Sequence, residues 1–287
     1  MIPSVLHKLL AKAVVLASLT CLPLAAAELK FDGEKIDTWQ GHRRHVFTVA
    51  GKQAWVVEPK NPLPGELWTW VTEFPDAFTP RTGVPKLLEQ GIYHAHISDY
   101  NRLGNPDQLK VMDEFYKLMQ EKGFAKKPVL IGLSRGCFMA YRWASENPTK
   151  VAGIYADAGV CDLKSWPGGF GKGRGSKIDW ESAKELYGWK NDEEGKAWAG
   201  NATDDKLLAT LAKANVPLLH VVADGDQVVP PAENTAIVEA KYKKLGGKIT
   251  VLHHQGDPKF NGHHPHGLDN PQPAVDFVVQ SLKAANR

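Results

Sequence analysis

The strongest chemical signal in the sequence is Gly132-Leu133-Ser134-Arg135-Gly136. It follows a near-continuous apolar run, Val129 to Leu133, and opens a helical pattern from Arg135 to Glu146. A serine on so tight a strand-to-helix turn is held in strained backbone with Oγ at the carboxyl edge of a sheet, and the flanking glycines avoid collisions. The hydroxyl attacks a carbonyl only when a base accepts its proton, so a histidine oriented by a carboxylate must lie elsewhere in the chain. Gly-x-Ser-x-Gly also arises by chance as a Gly-rich turn with a helix-capping serine; the strand-turn-helix setting is what favours Ser134 as a nucleophile.

An acid and a base follow in the chain order Ser, Asp, His that goes with such a strand-turn-helix elbow. The apolar run Leu218 to Ala223 ends in Asp224-Gly225-Asp226-Gln227, which places Asp226 on a loop at the sheet edge. Asp226 is the expected acid, and Asp224 is the better candidate for a mere cap of the following helix. The base is expected in the loop Gln255 to His266, which carries His263, His264 and His266. His264 precedes Pro265, which biases it to extended backbone and suits it to lining the pocket or supporting the loop. His263 is preferred as base, and His266 is its rival because Pro265 can turn the chain back toward the site. A zinc site built from this cluster with His253 and His254 is the competing reading, but no fixed-spacing motif such as HExxH supports it, and neither metal nor cofactor is expected. The oxyanion of an acyl transfer needs backbone donors. These are expected from Arg135 N–H and from the loop around Glu73 to Pro75, where Pro75 has no N–H and Phe74 is the assignment.

These loops need an alternating frame. His45 to Val49 and Gln53 to Val57 around Gly51 read as a hairpin, and Leu67 to Phe74 as a third strand. Strands Ile92 to Ile97, Val129 to Leu133, Val151 to Ala156, Leu218 to Ala223 and Ile249 to His253 then alternate with helices. The helices are expected over Asp107 to Lys122, Arg135 to Glu146, Ala232 to Leu245 and Pro273 to Lys283. This order describes an α/β domain with a mostly parallel central sheet and helices on both faces. The stretch 162–213 breaks the rhythm and reads as a cap insertion with helices near Trp180 to Tyr187 and Asp204 to Lys213. Its Trp166, Trp180, Trp189 and Trp198 either pack under that cap or offer flat faces to sugar rings.

The first 27 residues have the form of a secretory signal peptide: His7, Lys8 and Lys12 without an acid, the apolar run Ala13 to Leu24, then Ala25-Ala26-Ala27. Ser18-Leu19-Thr20 before Cys21 is a poor lipidation site, so a periplasmic or secreted protein, free of the membrane after cleavage, is expected, with residues 28–287 as one domain. Loss of Lys8 and Lys12 lowers Lys+Arg from 35 to 33 against 32 Asp+Glu, a balance that gives no reason to expect a nucleic-acid partner. Cys137 and Cys161 would then be the remaining cysteines. One lies a turn into the elbow helix and the other past the next strand, so a disulfide between them is expected, with two small buried thiols as the alternative.

The chain resembles the α/β-hydrolase superfamily over residues 28–287. More narrowly it is similar to secreted bacterial hydrolases that accompany polysaccharide-degrading and sialate O-acetylesterase modules. The stretches that carry this are Trp39-Gln40-Gly41, Leu67-Trp68-Thr69-Trp70, the Ser134 elbow, Ser165-Trp166-Pro167-Gly168-Gly169, Val228-Val229-Pro230 with Glu233-Asn234, and His263-His264-Pro265-His266. Val71 stands where that group commonly has Arg, and Cys137 where it commonly has Gly. The resemblance implies a catalytic histidine just after a glycine, which again selects His263, after Gly262. It also implies an esterase whose substrate is an acyl or methyl ester of a carbohydrate. An exported peptidase or lipase, or a non-catalytic binding module, are the alternatives.

Overall fold

The computed structural model describes residues 28–287, so the expected leader and Cys21 lie outside the described residues. Nine strands form one sheet: β1 (Lys35–Trp39), β2 (His42–Val49), β3 (Lys52–Val57), β4 (Trp68–Val71), β5 (Tyr93–Ile97), β6 (Val129–Leu133), β7 (Gly153–Asp157), β8 (Leu218–Asp224) and β9 (Ile249–Gln255). Their spatial order is β1-β2-β3-β5-β4-β6-β7-β8-β9. The first three strands and the β3–β5 pair are antiparallel, and every pairing from β5 to β9 is parallel. All residues of β4 to β7 are buried, which is why β6 is an apolar run without alternation; Thr69, His94, His96 and Asp157 of the other three strands are polar residues buried with them.

The helices are α1 (Thr79–Thr82), α2 (Val84–Glu89), α3 (Pro106–Glu121), α4 (Gly136–Glu146), α5 (Lys177–Tyr187), α6 (Asp192–Ala197), α7 (Asp205–Lys213), α8 (Thr235–Lys244) and α9 (Gln272–Ala285). Leu109, Met112, Phe115 and Met119 of α3 recur at helical spacing and face one core with α4, α7 and α8; Leu87, Leu88, Val275, Val278 and Leu282 of α2 and α9 fill the other face of the sheet. Asn105 caps α3 by accepting a hydrogen bond from Gln108 N–H. Within the stretch read as an insertion, α7 buries Leu208 and Leu211 in the main core, whereas α5 and the tryptophans form a separate cluster over Phe138.

Some elements differ from the sequence reading for physical reasons. The third strand stops at Val71 rather than Phe74, because Thr72 turns inward and its hydroxyl donates to Gly136 O at 2.7 Å. Strand β1 and helices α1, α2 and α6 are additions; β1 is an edge strand exposed at four of its five residues and lacks an apolar run. The helix expected from Ala232 begins at Thr235, because Asn234 leaves helical geometry to accept hydrogen bonds from Cys161 N and Asp162 N, at 2.8 and 3.2 Å. The expected disulfide is absent. Cys137 and Cys161 are buried free thiols, and each turns to a backbone carbonyl instead of to the other: Cys137 Sγ to Gly132 O at 2.8 Å, Cys161 Sγ to Gly159 O at 3.5 Å.

Of four histidines buried in the sheet, three with lowered pKa values set a pH dependence, while that of the fourth, His45, is held above its ordinary value, against the opposing effect of burial, by Glu58 and Glu34. Burial lowers the pKa of His94 to about 3 and of His96 and His220 to about 4. His220 is held neutral between the Tyr141 hydroxyl at 2.6 Å and Thr235 Oγ1 at 2.8 Å. Because the folded values lie below the ordinary 6.5, the unfolded chain takes up protons that the folded chain refuses as pH falls from 6.5 towards 4. Stability is therefore lost on acidification across that window, on the order of 2 kcal/mol for each of these histidines by about pH 5. Guanidinium denaturation at about pH 7 and pH 5 should show the midpoint fall; an unchanged midpoint would place these rings in solvent.

Candidate active site

Ser134 sits between β6 and α4 with φ 51, a left-handed conformation that L-residues other than glycine seldom adopt. The turn is made by its neighbours. A Cβ on Gly132 would stand 2.5 Å from Cys137 Cα, and one on Gly136 would press on Glu73 Cβ and Thr72 Oγ1 at 3.1 Å, so glycine at both positions lets the elbow close against α4 and the loop after β4. Ser134 N–H donates to Asp157 O at 2.8 Å, which ties the elbow to the end of β7.

The expected acid and base meet this serine. His263 Nε2 lies 3.0 Å from Ser134 Oγ, and His263 Nδ1 lies 2.7 Å from Asp226 Oδ2. An ionised carboxylate can only accept, so Nδ1 carries the proton and Nε2 is left to accept from the serine hydroxyl. Asp226 is 4% and His263 6% exposed, which shields the pair from competing water. Asp226 Oδ1 accepts from Val228 N and Val229 N at 2.8 and 2.9 Å, so the carboxylate is oriented before it meets the imidazole. Asp224 points elsewhere, to the exposed His253 at 2.9 Å.

Gly262 explains how the histidine loop reaches the acid loop. Its φ is 77, and a Cβ there would collide with the Gly225 carbonyl. Gln227 N–H donates to Asn261 O at 2.9 Å, which zips the two loops together.

The rival base, His266, is turned to a different carboxylate. Its Nδ1 lies 3.0 Å from Asp157 Oδ1, while Asp157 Oδ2 accepts from Gly267 N and from the Tyr155 hydroxyl, both at 2.8 Å. Arg81 of α1 holds the same loop by donating to His266 O at 3.1 Å and Gly267 O at 3.0 Å. His264 stacks on Phe78 with ring centroids 5.5 Å apart and lines a cavity, in keeping with a supporting role. Asp157, fully buried, thus joins elbow, sheet and histidine loop. The sequence carries one signal of it, a lone acid closing the apolar strand next to the elbow. Asp157→Ala strands three buried donors, and we expect a loss of about 3 kcal/mol or more of stability, measured by denaturation.

Among the described residues, neither Arg135 N–H nor Phe74 N–H has an acceptor. Phe74 has φ 56, and its ring lies 4.9 Å under the Arg135 guanidinium. That guanidinium is fixed by Glu73 Oε1 at 2.8 Å, and burial raises the pKa of Glu73 while Arg135 opposes the rise. The two amides stand on the turns that flank Ser134, where donors for an oxyanion belong. Glu73 and Arg81 are positioning residues that motif reading missed. Among the described residues no cluster of His, Cys, Asp and Glu is arranged to hold a metal ion, and no helix is long and apolar enough to cross a membrane.

No family model and no curated protein matches the chain in sequence. Solved structures do match in shape. An S-formylglutathione hydrolase from Agrobacterium tumefaciens superposes with a TM-score of 0.57 over 87% of this chain and 98% of its own, at 14% identity. Est1E from Butyrivibrio proteoclasticus superposes with a TM-score of 0.56 over 88% and 99%, at 15% identity. This chain has the α/β-hydrolase fold. The Pyrococcus horikoshii acylaminoacyl peptidase is similar at a TM-score of 0.57 and 14% identity; 84% of this chain matches only 40% of that one. Within the α/β-hydrolase fold, the loops bearing Ser134, Asp226 and His263 all lie past the carboxyl ends of parallel strands, β6, β8 and β9.

Proposed function

We propose that this chain is an exported serine hydrolase, an esterase that cleaves acyl or methyl esters of a carbohydrate through an acyl-enzyme on Ser134. The observation that carries this reading is the hydrogen-bonded chain from Asp226 through His263 to Ser134, on a strained elbow with two unengaged amides beside it. Ser134 Oγ attacks the ester carbonyl as His263 Nε2 takes its proton. The oxyanion that forms is stabilised by the Arg135 and Phe74 amides, each such donor being worth about 3 kcal/mol. His263 then gives the proton to the departing alcohol, and water, activated by the same imidazole, releases the acid and restores the serine. The carbohydrate assignment rests on the resemblance of the Trp-rich strand and the His263-His264-Pro265-His266 run, and export rests on the character of the first 27 residues.

A fluorophosphonate probe tests the chemistry, followed by a screen of acetylated and methyl-esterified saccharides. We expect a single labelled serine, lost in Ser134→Ala, and turnover of a saccharide ester. Folded protein that resists the probe would instead be a binding module, and turnover of peptides or long-chain lipid esters in preference to saccharide esters would overturn the substrate assignment.

A further inference from the structure

The four tryptophans of the cap region are engaged in packing. Trp180 is 4% exposed, Trp189 and Trp198 lie 5.4 Å apart, and Tyr187 stacks on Trp189 at 4.9 Å. A different aromatic surface adjoins the reactive histidine. Phe78, Phe260, His264 and Pro265 line a cavity of about 390 Å³ together with Asp257. His264 is the hinge of this surface: its ring lies 5.5 Å from Phe78 on one side and 5.5 Å from Phe260 on another, and 5.1 Å from the His263 ring. Burial, with His266 and His263 adding to it, lowers the His264 pKa to about 4, so its ring is uncharged at neutral pH. Phe260 is 54% exposed, so part of its ring is open to an occupant of the cavity.

We propose that this cavity is the subsite for the alcohol half of the ester, and that its occupant is a sugar ring. The placement follows from the proton's path: His263 Nε2 must reach the departing oxygen, so the leaving group lies on the imidazole side of Ser134, where the ring of His264 abuts that of His263. The chemistry of the occupant follows from the lining. Flat rings receive the C–H face of a pyranose, and the half-buried carboxylate among them accepts hydrogen bonds. Asp257 Oδ1 accepts from Lys259 N at 2.9 Å, and among the described residues Oδ2 accepts from nothing. A purely apolar aryl group would cover that oxygen without satisfying it, whereas a sugar hydroxyl donates to it. Backbone hydrogen bonds brace the loop that carries both functions. Asp257 N–H donates to His264 O at 2.6 Å and His263 N–H to Phe260 O at 3.0 Å, so the base and the subsite move as one unit.

This inference rests on the esterase reading, and two measurements separate their failures. Wild type and Phe260→Ala are compared on three acetates that share an acyl group: 6-O-acetyl methyl glucoside, phenyl acetate and ethyl acetate. Phe260→Ala should lower kcat/KM for the sugar ester about tenfold, chiefly through KM, and lower it for ethyl acetate far less, so that the ratio of the two falls. Equal loss on all three, no loss on the sugar ester, or loss confined to phenyl acetate overturns the sugar subsite while the esterase reading stands. Saturation-transfer NMR with methyl β-glucoside alone needs no turnover. Transfer to the ring protons should be present in wild type and weakened in Phe260→Ala and in Asp257→Asn; absence in wild type, or equal transfer in all three proteins, overturns the subsite even if no ester is cleaved.

Discussion

Ser134→Ala is expected to lower turnover of any ester substrate by about six orders of magnitude and to leave the fold intact. In the proposed mechanism the hydroxyl is the atom that forms the bond, and nothing else within the described site carries an unengaged nucleophile against His263 Nε2. The side chain contributes little to the core, because Ser134 is only partly buried and its one side-chain hydrogen bond is to His263. A companion variant tests the strain. At φ 51 a serine or alanine bears a steric cost of about 1–2 kcal/mol that glycine avoids, so Ser134→Gly should be as inactive as Ser134→Ala but more resistant to thermal denaturation. Equal or lower stability of the glycine variant would mean that the elbow is relaxed in solution, and residual turnover near the wild-type rate in either variant would remove Ser134 from the mechanism.

His263→Ala should cost as much as loss of the serine, because a hydroxyl without its base is scarcely nucleophilic and the two groups act as a unit. Asp226→Asn should cost about four orders of magnitude in kcat, since it presents the wrong partner to Nδ1 and favours the wrong tautomer without removing the imidazole. Asp224→Asn should leave turnover near wild type, because that carboxylate faces the exposed His253. His266→Ala is the informative contrast. Its ring centroid is 5.0 Å from that of His263, yet its Nδ1 is engaged by Asp157 and not by Asp226. It should therefore lose stability and a modest part of kcat, with most of the rate retained. Steady-state assays on the four variants, after folding is verified by circular dichroism, check the ranking; an inactive His266→Ala beside an active His263→Ala would move the base.

The elbow and the order of acid and base were legible in the sequence because they depend on local geometry. A strand, a glycine-flanked turn and a helix are adjacent in the chain, so Gly132 and Gly136 announce the close approaches that the structure displays at Cys137 and at Glu73. The approach of the histidine loop to the acid loop was legible for the same reason, since Gly262 marks a backbone position where a Cβ cannot fit, but His266 stayed open as a rival to His263. The buried strand β6 was equally plain, since a segment covered on both faces reads as an unbroken apolar run, whereas β1, exposed along an edge, left no such trace.

What only the tertiary structure decided involves contacts between residues far apart in the chain. Asp157 binding His266 and Gly267 spans more than a hundred residues, and no motif records that a lone acid ends a strand where another loop will arrive. The cysteines show the same limit. Their positions beside the elbow suggested a bridge, but pairing depends on where each side chain points, and the backbone carbonyls of Gly132 and Gly159 took the two thiols instead. The tryptophans of the cap were ambiguous between packing and binding until their neighbours were known, because an aromatic ring has the same sequence signature in both roles. Sequence by itself thus determined the local turns and the chemistry they present; burial and long-range hydrogen bonding decided which histidine met which acid, because those depend on the closing of the whole sheet.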